Sequence, residues 1–294
     1  MKHAKITLLS LIIASVLSQV AIAQVQTEKL AENLYLLGGG STMVVSVGPD
    51  GAFLVDDQVG SVSDQILKTI KVLTDQPLKF VINTHLHKDH VGGNENMANA
   101  GAIVVAHENV RTRMSKEQAL DNWPLGDTTV PAYPEAALPI VTFTESMKFH
   151  FNGEAINVIK MPNAHTDGDS IVHFPVSNVI HVGDAISTKY PYLDLASGGT
   201  LKGSIELAAK VLSLMDSETR IVSGHSPIIG KSEVQAFHDM LTNVQDRIGK
   251  LIDEGKSQAE VLATNPLAKF DERWGNAFVS TKLFTRTVYT DMTN

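Results

Sequence analysis

Cysteine is absent from the 294 residues. That absence removes disulfides, thiolate metal ligands and cysteine nucleophiles together. Basic residues are the minority, 24 Lys and Arg against 32 Asp and Glu, for a formal charge of -8. No basic run stands out, so nucleic acid is excluded as a first choice of partner. No apolar run reaches the length of a comfortable membrane span. Disorder and collagen-like repetition are excluded too, because 43% of the residues are hydrophobic and 19% charged, an ordinary globular balance. What the chain does have is 11 histidines. Any chemistry must come from these and from Asp, Glu, Ser, Lys or Tyr.

The first two dozen residues form an address. Lys2 and Lys5 give a positive start, Ile6 to Leu17 is mostly apolar, and Ala21-Ile22-Ala23 is an A-x-A cleavage signature. This is the pattern of a secretory signal peptide. Residues 1–23 are therefore expected to be removed after Ala23. Residues 24–294 would remain as a periplasmic or secreted single domain, with no membrane contact after cleavage.

The mature chain mixes strands and helices. Thr42–Val47 and Ala52–Val55 flank the turn cluster Gly48-Pro49-Asp50-Gly51, which predicts a hairpin. Ser61 to Leu73 carries Ile66, Ile70 and Leu73 on one helical face. Lys79 to Ile82 reads as a buried strand, Val91 to Ala100 as a helix and Ala102 to Ala106 as another strand. Residues 113–139, with Pro124, Pro131, Pro134 and Pro139, show little periodicity and read as a long loop or lid. Strands are expected at 140–143, 155–159, 170–174, 179–182 and 220–223. Helices are expected at 205–214 and 234–252, with two more from about residue 257. No linker divides the chain. The mixture without strict alternation predicts packed sheets with helices outside.

Thr84-His85-Leu86-His87-Lys88-Asp89-His90 carries the functional argument. In extended backbone His85, His87 and Asp89 project the same way, with His90 next. Crowded imidazoles and a carboxylate would be costly unless a divalent metal joined them. Three more candidates sit at strand ends beside Gly or Pro, namely His165, Asp184 after Gly183, and His225 after Gly224. Ligands drawn from several loops on one rim are how a scaffold builds a site.

This ordered set resembles the metallo-β-lactamase-fold hydrolases. The H-x-H-x-D-H run matches their signature, and His165, Gly183-Asp184 and Gly224-His225 match their later motifs in order. The resemblance covers roughly residues 30–250. It implies an α/β fold, a four-layer αββα sandwich with two metals at one sheet edge. His85, His87 and His165 would hold the first metal, Asp89, His90 and His225 the second, and Asp184 would bridge them. Five imidazoles and two carboxylates suit two Zn2+ ions, with iron or manganese as alternatives. Two such metals, about 3.5–4 Å apart, can share a hydroxide as the nucleophile. Asp89 would orient that nucleophile, and is the catalytic candidate. Asp56, closing a strand, would support the metal-binding loop. Asp57 reads as a surface residue.

The resemblance also ranks the reactions. The diiron oxidoreductases of the family have Glu where this chain has His87, which favours hydrolysis of an ester, lactone, thioester or amide-type bond in a small molecule. Typical zinc β-lactamases have Cys or Ser where this chain has Asp184, while broader hydrolases and lactonases have the bridging Asp. A true β-lactamase is the alternative. An iron persulfide dioxygenase, sharing the first motif, and a metal-binding protein without turnover are others. Trp123, Tyr133, Lys189, Tyr190 and Tyr192, in loops 113–139 and 186–200, are candidate substrate contacts. Ser197-Gly198-Gly199-Thr200 reads as a helix cap or an anion contact. The remaining histidines match no ligand motif, and His107 reads as a helix-start residue.

Overall fold

The computed structural model describes residues 25–120, 123–275 and 277–294. The expected leader and its cleavage point at Ala23 lie outside the described residues.

Seven strands make the first sheet. They begin with β1 (Gln26–Ala31), β2 (Leu34–Gly38), β3 (Met43–Gly48), β4 (Gly51–Val55), β5 (Leu78–Asn83) and β6 (Ile103–His107). A short antiparallel ribbon, β7 (Gln118–Leu120) and β8 (Thr128–Val130), then precedes β9 (Val141–Phe143) at the sheet's far edge. The order is β1-β2-β3-β4-β5-β6-β9. The predicted hairpin is the antiparallel pair β3–β4, with Gly48 opposite Gly51. The second sheet runs in chain order through β10 (Ser146–Phe151), β11 (Glu154–Lys160), β12 (Ser170–Phe174), β13 (Val179–His181) and β14 (Arg220–Val222).

Three apolar layers hold four structural layers together. Helices α1 (Ser63–Leu73), α2 (Lys88–Val91), α3 (Asn94–Asn99) and α4 (Glu108–Met114) follow strands of the first sheet. Ile66 and Ile70 of α1 and Met97 of α3 pack on Met43, Val45, Leu54 and Val81 of that sheet. Val44, Phe53, Val55 and Ile82 face Phe151, Ile156, Val158, Val172 and Phe174 between the two sheets. On the far side, α5 (Leu201–Leu214) and α6 (Lys231–Asp253) cover the second sheet through Leu207, Val211, Phe237 and Leu241 against Ile171, Ile180 and Ile221. Of the C-terminal helices α7 (Gln258–Thr264), α8 (Asp271–Trp274) and α9 (Thr281–Thr293), the last two extend the same layer with Trp274, Phe284 and Val288, and α7 packs on α9. The αββα sandwich is thus present. The inner strands β3 and β4 bury both faces, because each sheet has a partner on either side.

Several expectations need correction. The stretch 113–139 is not structureless, since it begins in α4 and contains the β7–β8 ribbon. The helix expected over 91–100 is broken at Gly92-Gly93 into α2 and α3. Asp57 is fully buried rather than a surface residue. Its carboxylate accepts from the Gly93 N–H at 2.9 Å and so ties the end of β4 to the break between α2 and α3. Among the described residues no helix is long and apolar enough to cross a membrane.

Phe53 is fully buried at the middle of the sandwich, 5.1 Å from the Phe149 ring and 5.9 Å from Phe151. Phe53→Ala should destabilise the fold by about 3–5 kcal/mol, read as a lower denaturation midpoint at unchanged slope.

Candidate metal centre

The site lies where the strands of both sheets end. From the first sheet, β5 delivers Thr84 to His90. From the second, the turn after β11 delivers His165, the end of β13 delivers Asp184 and the end of β14 delivers His225. Two glycines permit this. Gly183 has φ +54, a left-handed backbone that turns the chain at Asp184. A Cβ on Gly224 would stand 2.1 Å from Asp184 Oδ1 and 2.7 Å from the His90 ring, so any side chain there would fill the centre.

All seven expected side chains come together, in two groups. His85, His87 and His165 form one; Asp89, His90, Asp184 and His225 form the other. Extended alternation accounts for only part of this. The strand stops at Asn83, and Lys88 starts the helical turn α2. That turn carries Asp89 away from the first group and places it beside His90. Asp184 stands between the groups. One oxygen is 3.3 Å from His90 Nε2, and the other is 3.3 Å from His225 Nε2, 3.8 Å from His165 Nε2 and 4.0 Å from His85 Nε2.

The outward nitrogen of four imidazoles is anchored. His90 Nδ1 meets Asp56 Oδ2 at 2.8 Å, His165 Nδ1 meets the Tyr192 carbonyl at 2.7 Å, and His87 Nε2 meets Asp194 Oδ2 at 3.0 Å. His85 Nδ1 is 3.1 Å from Thr84 Oγ1, whose hydrogen goes to Asp56 at 2.8 Å. Each ring is thereby fixed with its other nitrogen directed at the centre. With these hydrogens in place, His87 Nδ1 and His165 Nε2 bring lone pairs within 2.8 Å of each other. His85 Nε2, His90 Nε2 and Asp184 Oδ1 are buried with no hydrogen-bond partner. The converging lone pairs of His87 and His165 and the unpartnered, buried His85 Nε2 are costly without a cation. The residues fit a divalent metal.

The two groups differ in charge state. Burial, with the neighbouring His90 and His165, holds His85 well below the usual imidazole range. Burial and His87 lower His165 likewise. In the second group the carboxylates win. Hydrogen bonds to Asp184 and Asp89 push His225 up to about 10. Burial opposes charge on His90, but Asp184, Asp56 and Asp89 together hold it well above its ordinary value. Burial raises Asp184 and Asp89, and the surrounding imidazoliums outweigh it, so both carboxyls fall well below the carboxylate range.

Three supporting residues were not singled out from the sequence. Asp194 carries its charge buried against His87, with the Ser197 N–H on its other oxygen at 3.0 Å. Asp169 accepts from the backbone N–H groups of His165 and Thr166 and from the Thr166 hydroxyl, which fixes the His165 turn. Thr84 relays Asp56 to His85. An acid inside the apolar run Tyr190–Leu195 was a visible signal for Asp194. Asp56 does brace the loop as expected, accepting from the Thr84 N–H at 2.8 Å as well.

A cavity of about 700 Å³ opens over the two groups. Of the candidate substrate contacts, Trp123, Lys189, Tyr190 and Tyr192 line it. Tyr133 does not; it packs with Leu86, Val91 and Met114 behind the ligand turn. Ser197–Thr200 is a helix cap, in which the Thr200 side chain accepts from the Gly203 N–H at the start of α5. His107 caps α4 through Asn109, also as expected.

The sequence model described as the metallo-beta-lactamase superfamily matches residues 31–225. Two solved structures share the fold. A metallo-beta-lactamase from Pontibacter korlensis superposes with a TM-score of 0.62 at 20% identity, covering 75% of this chain and 100% of its own. The DIM-1 metallo-beta-lactamase gives 0.59 at 18% identity, covering 74% and 97%.

In the metal-free protein at pH 7, His90 and His225 should be imidazolium while His85 and His165 are neutral. The carboxylate–imidazolium pairs stabilise the metal-free fold fully between about pH 4 and 6.5; the Asp89 and Asp184 share falls away at lower pH, and the His225 share is lost as pH rises through about 10. Metal must displace those protons, so affinity at the second group rises with pH. Imidazole nitrogen chemical shifts read the four states directly, and a neutral His225 at pH 7 would contradict the assignment. Asp194→Asn should weaken metal binding about 10–100-fold in a chelator competition, with the unfolding transition retained as the check on folding.

Proposed function

The chain belongs to the metallo-β-lactamase superfamily, a family of metal-dependent hydrolases, and within it we propose an exported, zinc-dependent hydrolase of small molecules. Its substrate would be an ester, lactone, thioester or amide-type bond. One observation carries this reading: Asp184 lies within 4.0 Å of imidazole nitrogens from both ligand groups. His85, His87 and His165 would hold one metal, and Asp89, His90 and His225 a second, with Asp184 shared. A donor set of imidazoles and carboxylates without thiolate is compatible with zinc, and with iron or manganese. The leader-like residues 1–23 support export. The shared apolar layer that joins α8 and α9 to α5 and α6 supports one domain over 24–294.

Bound metal supplies Lewis acidity toward the substrate oxygen and lowers the pKa of water to about 7. The chain's own residues do the rest. Of the ligand side chains that line the cavity, Asp89 and His225 are the most exposed, at 37% and 51%. The Asp89 carboxylate lines the cavity 2.8 Å from His225 Nε2 and, held ionised there, would orient a nucleophilic water as a hydrogen-bond acceptor. Asp194, Asp56 and the Tyr192 carbonyl keep the imidazoles from rotating. Trp123 and Tyr192 exclude solvent from the His87 side of the cleft.

The names of the two structural relatives favour a second reading, β-lactam hydrolysis; Asp184, in place of Cys or Ser, weighs against it. Zinc-loaded protein over residues 24–294 should cleave simple esters or a lactone in a chelator-sensitive reaction. It should process a chromogenic cephalosporin with kcat/KM below about 10⁴ M⁻¹ s⁻¹. Cephalosporin turnover above that value would make the chain a β-lactamase. No turnover of any substrate would remove the hydrolase reading.

A further inference from the structure

Beyond residue 225, where the family match ends, the chain returns to the site. The segment Ala277–Val279, just before α9, forms part of the cavity wall. Phe278 is 53% exposed there. Its ring lies 5.0 Å from Trp123, edge to face, and Trp123 lies 5.1 Å from Tyr192 and 6.5 Å from the His87 imidazole. A continuous aromatic wall thus runs from a metal-group histidine to the cavity mouth. Val59 and Val279 add aliphatic surface.

This wall is braced from behind. The Tyr190 ring stacks on Phe284 of α9 at 4.7 Å, and the Tyr190 N–H donates to the Trp274 carbonyl at 3.0 Å. The Asp291 carboxylate accepts from the Leu201 N–H at 2.8 Å, which joins α9 to the start of α5. Lys189 is one of two lysines at the cavity, with Lys88, and its Nζ donates to the Arg273 carbonyl at 2.9 Å. The cleft therefore offers mainly apolar surface beside the His/Asp centre, with Lys88, Ser187, Thr188 and Ser226 as further polar groups on its lining. A cavity of about 700 Å³ is far larger than a two-carbon acyl group needs. An exposed aromatic at its mouth gains burial only when something apolar enters.

We propose that Trp123 and Phe278 form a receptor for a medium-length apolar acyl chain, and that Phe278 is a specificity-determining residue. The substrate class is then a carboxylic ester whose acyl chain lies along the aromatic wall while its carbonyl meets the metal centre. The identity of the reacting bond rests on the hydrolase reading, but the receptor does not.

Straight-chain carboxylates test it without turnover, because the carboxylate anchors at the metal and the chain reports on the wall. Acetate, hexanoate and decanoate are titrated into zinc-loaded protein by calorimetry, alongside Phe278→Ala and Phe278→Leu. Each two methylenes should tighten binding by about tenfold. Phe278→Ala should weaken decanoate by tenfold or more and acetate by less than twofold, with Phe278→Leu restoring most of the loss. Affinity independent of chain length, undetectable decanoate binding, or wild-type decanoate affinity in Phe278→Ala would each overturn the receptor. In the hydrolase, the kcat/KM ratio of decanoyl over acetyl ester should fall by the same factor in Phe278→Ala. Protein that binds decanoate through Phe278 yet hydrolyses no ester keeps the receptor and loses the hydrolase reading.

Discussion

One buried carboxylate organises the centre. Asp56 is fully inaccessible and accepts three hydrogen bonds, from the Thr84 N–H, the Thr84 hydroxyl and His90 Nδ1. Its own backbone is left-handed, φ +61, a conformation that non-glycine residues reach only when their surroundings hold them there. The grip fixes His90 directly and His85 through Thr84, so one side chain orients a nitrogen in each ligand group. Neither imidazole can then swing away to relieve the crowding of lone pairs at the centre. That crowding is what a divalent cation would remove.

The centre also depends on the two sheets holding their offset. The first sheet supplies four of the seven side chains from one strand end, and the second supplies three from separate turns. Crossing hydrogen bonds set the offset near the site. The Thr42 N–H donates to the Gly224 carbonyl at 2.7 Å, His181 Nε2 donates to the Thr42 carbonyl, and the Ser170 N–H donates to the Thr84 carbonyl at 2.9 Å. Further in, Phe53 and its aromatic neighbours fill the space between the sheets. Interiors packed at crystal density transmit displacement rather than absorb it, so inter-sheet packing and ligand geometry belong to one mechanical unit.

Much of this was legible from residue order. The run from Thr84 to His90, followed by His165, Gly183-Asp184 and Gly224-His225, identified every side chain that the fold gathers. The hairpin at Gly48–Gly51 and the long amphipathic α6 were equally plain, because turn residues and helical spacing are local signals. What escaped reading depends on tertiary partners. Asp194 looks like a loop acid until His87, 107 positions away, is seen against it. Asp57 looks solvated until Gly93 closes over it. The helical turn at Lys88 breaks the alternation that extended backbone would give, so Asp89 joins His90, as the family resemblance implied and backbone alternation did not. The β7–β8 ribbon has three-residue strands, too short for periodicity to register.

Chemistry and selectivity are built from different parts of the chain. The ligand side chains leave regular strands or the tight turns beside them, where the backbone is fixed by pairing. The cavity wall comes from the ribbon segment at Trp123, the loop at 187–192 and the C-terminal segment at 277–279. Tyr192 belongs to both, since its ring lines the cleft while its carbonyl holds His165 Nδ1 at 2.7 Å. Pressure on the wall at Tyr192 therefore reaches the His165 imidazole directly. Phe278 has no such bond to the centre and touches it only through Trp123. A substitution at Phe278 can reshape what enters the cleft while leaving the hydrogen bonds that orient the ligands in place, which is the separation a scaffold needs to change substrate without losing its metal site.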